Sequence, residues 1–244
     1  MGCPHCMQNS TEDPQHMSME IVKRIVKFAE WSHAFAILIS GGEPTEHPKF
    51  FEIAEMFSKF GCVAIISNGD FISDPDKTAK MKELLKRDNF SMQITSISGI
   101  YPRQVDLKAL EALPHTVSHT EGINMLSLGR AATSPKYSEI AKTSAGTTSC
   151  ASTALIFAQM QFHFALKNME MRGKMCHPLI DWKGNLHVSE SWLCPSFANI
   201  FEGFTSIEDK AHNWRPCGKC ADYQKLLKKN DPQYLQAKQI LGIK

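Results

Sequence analysis

Helix-period segments alternate with short apolar runs over about the first 130 residues, which restricts the chain to folds that pack helices on a parallel sheet. Over residues 17–31 the apolar positions Ile21, Val22, Ile25, Val26, Phe28 and Ala29 recur at helical spacing. Residues 34–39 then form a continuous apolar run, the pattern of a strand buried on both faces. A second round predicts a helix over 47–60, stopped by Gly61, and a strand over 62–67. A third predicts a helix over 75–87 behind Asp74 as cap and a strand over 90–97, in which Ser91, Gln93 and Thr95 share one face. A weaker round places a helix at 105–113 and a strand at 123–128. The net charge of +2 with 21% charged and 43% apolar residues argues against disorder and against a basic nucleic-acid platform.

Beyond residue 132 the pattern changes. Ser, Thr, Lys and Gly dominate 133–149, which reads as an irregular connection, and a helix is expected over 151–172. After Gly173 come four cysteines and three of the four tryptophans, with little helical periodicity until Asp222, the composition of a small appended domain around a metal centre. The expected organisation is a first domain over 1–150, a connecting helix over 151–173 and a cysteine-rich domain with a C-terminal helix over 174–244.

Eight cysteines stand at 3, 6, 62, 150, 176, 194, 217 and 220. The start of the chain lacks the charged and apolar stretches of a signal peptide, and no apolar run approaches the roughly 20 residues that span a bilayer. A cytoplasmic, reducing setting is therefore expected, where paired cysteines read as metal ligands rather than disulfides. Cys3-x2-Cys6 and Cys217-x2-Cys220 have the spacing by which two thiolates grip one metal or cluster, with Cys176 and Cys194 upstream of the second pair. By spacing alone the C-terminal four suit a closed tetrahedral zinc site as well as an iron–sulfur cluster. Cys62, opening a strand, and Cys150, preceding an apolar stretch, read as buried structural residues.

Loops after parallel strands share one edge of the sheet, where ligands bind. Here they are Ser40-Gly41-Gly42-Glu43-Pro44, Ser67-Asn68-Gly69 and Ser96-Ile97-Ser98-Gly99. Paired glycines let backbone approach a charged or zwitterionic headgroup, and Glu43 offers an acceptor for an ammonium. Together with Cys3-Pro4-His5-Cys6, these segments resemble the radical S-adenosylmethionine superfamily. The C-terminal Cys176, Cys194, Cys217 and Cys220, with a Gly184 turn between the first two, resemble its SPASM and twitch auxiliary-cluster extensions.

The resemblance implies a partial (β/α)6 TIM-like barrel followed by the auxiliary-cluster domain. It implies that Cys3 and Cys6 are the second and third cysteines of a Cys-x3-Cys-x2-Cys motif binding a catalytic 4Fe-4S cluster. The first would fall two residues before Met1, so an upstream start is expected and the barrel's first strand would be missing with it. Three thiolates leave one iron open, which S-adenosylmethionine chelates before reductive cleavage yields a 5′-deoxyadenosyl radical that abstracts hydrogen. By resemblance, Gly41, Gly42 and Glu43 with Pro44 hold the methionine end, and Ser67, Asn68 and Ser96 line the rest of the cofactor. Arg130, in a Gly-Arg-Ala element, is expected to pair with the cofactor carboxylate. The C-terminal four are expected to hold a second 4Fe-4S cluster that accepts or relays an electron.

The expected substrate is a peptide or protein, and the expected electron donor is a flavodoxin or ferredoxin. The alternatives are a small-molecule dehydrogenase of the same superfamily and, if the first cysteine is truly absent, a non-catalytic zinc or iron–sulfur binding protein. His5 is expected to shield the cluster loop rather than ligate. His115-x3-His119 follows Pro114 and reads as a plain loop, Lys228-Lys229 as a solvated helix face, and Trp182, Trp192 and Trp214 as packing around the auxiliary site.

Overall fold

The computed structural model describes residues 2–6, 8–12, 15–32, 34, 36–95, 101, 105–114, 117–119, 129–138, 179–187 and 195–213. In chain order the elements are α1 (Met19–Trp31), β1 (Ala36–Ile39), α2 (Phe50–Phe57), β2 (Cys62–Ser67), α3 (Pro75–Leu85), β3 (Phe90–Ile94), α4 (Leu107–Glu111), β4 (Val117–His119), α5 (Gly129–Thr133), β5 (Leu179–Ile180), β6 (Asn185–His187), β7 (Ser196–Asn199) and α6 (Phe204–Asn213). They fall into two compact units. One comprises Met1–Pro14 and Ala34–Ile123, the other Gln15–His33 and Asn124–Lys244.

The first unit is built on a four-stranded parallel sheet in the order β1-β2-β3-β4, with Ile37 opposite Val63, Ile65 opposite Met92 and Ile94 opposite His119. Alternation decides which residues form its core: Phe90, Met92 and Ile94 are buried, while Ser91 and Gln93 point to solvent. Val63 and Ile65 of β2, Phe50, Ile53 and Phe57 of α2, and Met81, Leu84 and Leu85 of α3 complete the core. Each such side chain contributes about 1.5–3 kcal/mol on leaving water. Helix α3 starts where the sequence places it, because the Asp74 carboxylate accepts the Asp76 and Lys77 N–H groups at 3.0 Å and Pro75 presets the first turn. At the edge where strands enter, Asn89 donates its side-chain amide to the carbonyls of Ser58 and Gly61, tying the turn before β3 to the turn before β2.

Several expectations change. Helix α2 starts at Phe50 rather than at residue 47, because Pro44–Glu46 forms a separate 3-10 turn. His119 lies in β4 rather than in a loop, since pairing with β3 supplies hydrogen bonds that local sequence does not announce. Cys62 is exposed, being the first residue of β2, where the buried alternation begins one residue later at Val63. The strand expected at 123–128, the helix at 151–172 and Cys150 lie outside the described residues. No helix among the described residues is long and apolar enough to cross a membrane.

The second unit joins α1 to a three-stranded antiparallel sheet, β5-β6-β7, and to α6. Ser18 caps α1 by accepting the Ile21 N–H at 3.3 Å, and the buried face carries Ile21, Val22, Ile25, Phe28 and Ala29. Arg24 donates to the carbonyls of Ile200 and Glu202, both at 2.8 Å, and its guanidinium lies 4.2 Å from the centre of the Phe204 ring. Phe28, Trp31 and Phe204 form an aromatic cluster with ring centres 5.5–5.7 Å apart. Helix α6 lies where little periodicity was expected; Phe204 in this cluster and fully buried Ile207 anchor its short apolar face. Gly184 takes the left-handed conformation, φ +81°, that the β5–β6 turn requires.

Candidate functional site

Since β1, β2 and β3 run parallel, the segments that follow them leave the sheet on one edge. After β1 comes Ser40-Gly41-Gly42-Glu43-Pro44. Gly41 sits at φ +153°, outside what side chains favour, and a Cβ there would meet no atom within 4 Å. A Cβ on Gly42 would lie 3.4 Å from Cβ and 3.5 Å from Oγ of Ser10. The Ser10 N–H in turn donates to Cys6 Sγ at 3.3 Å. The cysteine loop therefore lies against the glycine pair, with its turn closed by the Cys6 N–H donating to the Cys3 carbonyl at 3.1 Å. Cys3 is buried, Cys6 is partly exposed, and neither is in a disulfide.

Tyr101, which follows β3 in the sequence, reaches the same place. The Tyr101 ring meets the His5 ring edge-on, with centres 4.5 Å apart, and its hydroxyl lies 3.0 Å from Thr95 Oγ1. Burial raises the Tyr101 pKa, the Thr95 hydrogen bond opposes it, and the electrostatic influence of nearby Cys3, Glu43 and Cys6 adds to the rise. Either hydroxyl can donate in the Tyr101–Thr95 pair, and the Thr95 N–H donates to the Ser67 carbonyl at 2.9 Å.

Glu43 connects the loops after β1 and β2. Its Oε1 accepts from the Thr45 N–H at 3.1 Å, the Thr45 hydroxyl at 2.6 Å and the Ser67 hydroxyl at 2.8 Å; its Oε2 accepts from the Asn68 N–H at 2.8 Å. Burial, the largest influence, raises the carboxyl pKa, and the hydrogen bonds from Thr45, Asn68 and Ser67 offset only part of it. Ser67 Oγ also accepts from the Gly69 N–H at 3.0 Å, and the Asn68 side chain exchanges hydrogen bonds with Asp70.

The expected residues Cys3, Cys6, Gly41, Gly42, Glu43, Pro44, Ser67 and Asn68 thus converge on one sheet edge of the first unit. Arg130 is half-buried in α5 of the second unit. Ser96 and the cysteines 176, 194, 217 and 220 lie outside the described residues. Thr45, Ser10 and Tyr101 belong to the site but were not picked out from sequence. The threonine following Glu-Pro was a usable signal, whereas nothing local marks Tyr101.

Thiolates beside exposed glycine backbone suit an iron–sulfur cluster with an amino-acid headgroup on it, so the donors fit in kind. In number they fall short of the three expected: Cys3 and Cys6 supply two, and no group of three or more His, Cys, Asp or Glu among the described residues forms a metal cage.

Residues 1–110 match the family model of the Radical SAM superfamily. Among solved structures, the chain is similar to a crystal structure of selenomethionine BtrN in an open conformation, with 15% identity and a TM-score of 0.46 over 87% of this chain and 72% of that one. No curated protein matches the sequence.

Proposed function

We propose that this chain is a radical S-adenosylmethionine enzyme whose catalytic site is the sheet edge bearing Cys3, Cys6 and the Gly41-Gly42 turn. The carrying observation is the contact of the cysteine loop with that turn through Ser10, within the segment that matches the Radical SAM superfamily. Cys3 and Cys6 would be two thiolate ligands of a 4Fe-4S cluster. When bound, the cluster and S-adenosylmethionine supply a 5′-deoxyadenosyl radical for hydrogen abstraction. The chain's own contributions are to hold the cysteine loop, to present the Gly41 and Gly42 peptide groups, and to cover the loop with His5 and Tyr101.

On this reading Cys176, Cys194, Cys217 and Cys220 hold an auxiliary 4Fe-4S cluster that takes up or relays an electron. The substrate is a peptide or protein, reduction comes from a flavodoxin or ferredoxin, and Arg130 and Ser96 contact the cofactor. The shortfall to two thiolates favours a second reading, a non-catalytic metal-binding protein. Iron, sulfide and zinc analysis of anaerobically purified chain separates the two. About four irons per chain that survive Cys3→Ser with Cys6→Ser, rising to about eight when Cys-Asn is added before Met1, is expected for a C-terminal cluster plus a completed N-terminal one. One zinc per chain without a brown chromophore in either form would favour the non-catalytic reading.

A further inference from the structure

We infer that Glu43 is a clasp rather than a ligand to the ammonium of the bound amino acid, and that Thr45 and Ser67 are positioning residues acting through it. This deepens the radical S-adenosylmethionine reading and rests on it. A carboxylate kept for a ligand would leave both oxygens open to it. Glu43 instead receives three donors on Oε1 and one on Oε2, all from Thr45, Ser67 and Asn68. Thr45 and Ser67 are 2% and 1% exposed, so their hydroxyls are committed to the interior.

The four bonds join the loop after β1 to the loop after β2, which is what fixes the backbone of the glycine pair relative to Asn68. Gly41 borders open space, and no hydrogen bond among the described residues uses the peptide groups of Gly41 or Gly42. Those peptide groups are the chemistry left for a zwitterionic headgroup: carbonyls for its ammonium, N–H groups for its carboxylate. Oε1 is filled by these donors, so a ligand ammonium competing for it would displace buried donors and leave them unsatisfied; Oε2, already held by the Asn68 N–H, has one acceptor site left.

The alternatives give opposite signs for one substitution. Thr45→Val keeps the shape and removes the hydroxyl that donates to Glu43 Oε1. If Glu43 is a clasp, the variant loosens both loops: exchange of the Asn68 amide, followed in the full chain without cofactor, accelerates, and binding of S-adenosylmethionine and of S-adenosylhomocysteine weakens about tenfold. Ser67→Ala behaves likewise, and Thr45→Ser, which restores the hydroxyl, rescues exchange and binding together. A role in packing alone would not give that rescue.

If Glu43 receives the ammonium directly, Thr45→Val frees the carboxylate, and binding stays the same or tightens with Asn68 exchange unchanged. That result, with Glu43→Gln losing binding, would overturn the inference. Chain extended by Cys-Asn before Met1 and reconstituted with iron and sulfide that binds neither molecule would overturn the headgroup assignment together with the reading beneath it, while the exchange rates would still decide whether the clasp exists.

Discussion

Gly69→Ala is expected to lower the stability of the first unit by about 3 kcal/mol, adding about 1–2 kcal/mol of left-handed backbone strain to about 1–3 kcal/mol of overpacking. Gly69 sits at φ +84°, and a Cβ there would come within 2.7 Å of Val105 Cγ2 and 3.3 Å of Ile94 Cγ2. Neither contact is easily relieved, because Ile94 is fully buried in β3 and the Gly69 N–H is held by Ser67 Oγ. A melting point lower by about 6–12 °C is the readout for a chain of this size. Because Ser67 also holds Glu43, the same strain reaches the glycine turn. A melting point within about 1 °C of wild type would mean that the loop after β2 is not packed as described.

Asp181→Ala is expected to destabilise the second unit by about 3 kcal/mol, because it removes one carboxylate that organises an entire turn. Asp181 Oδ1 accepts the Lys183 and Asn185 N–H groups at 2.9 Å each; Oδ2 accepts the Asn185 side-chain amide at 3.0 Å and lies 3.2 Å from His187 Nε2. Asp181 and His187 are both buried, so alanine leaves the imidazole and an amide without this acceptor. Burial alone would raise the Asp181 pKa, but the bonds from Asn185, His187 and Lys183 outweigh it and leave the group below its ordinary 3.8. A carboxyl lowered by folding contributes fully above its unfolded value and loses that contribution as pH falls through the folded one. The wild-type advantage over Asp181→Ala should therefore be constant above about pH 5 and shrink below about pH 4, measured by denaturant unfolding. An advantage that does not shrink below about pH 4 would contradict the assigned network.

What could be read from sequence was whatever short-range pattern dictates. The limits of β2, the Asp74 cap, the alternation in β3 and the Gly184 turn follow from residues within a few positions of one another. The cysteine pair and the Gly41-Gly42-Glu43 segment were legible as chemistry. What Glu43 does with its carboxylate was not, because its partners Ser67 and Asn68 come from another loop. The strand at His119 and the packing of Tyr101 on His5 were hidden for the same reason. Each is settled by a neighbour that the chain brings in from elsewhere in the fold.

The most direct test of the account is to incubate chain extended by Cys-Asn before Met1, reconstituted with iron and sulfide and reduced without oxygen, with S-adenosylmethionine and to assay 5′-deoxyadenosine. The account predicts 5′-deoxyadenosine and methionine in equal amounts, lost on Cys6→Ser. A protein that carries its iron and binds S-adenosylmethionine yet forms no 5′-deoxyadenosine would contradict it.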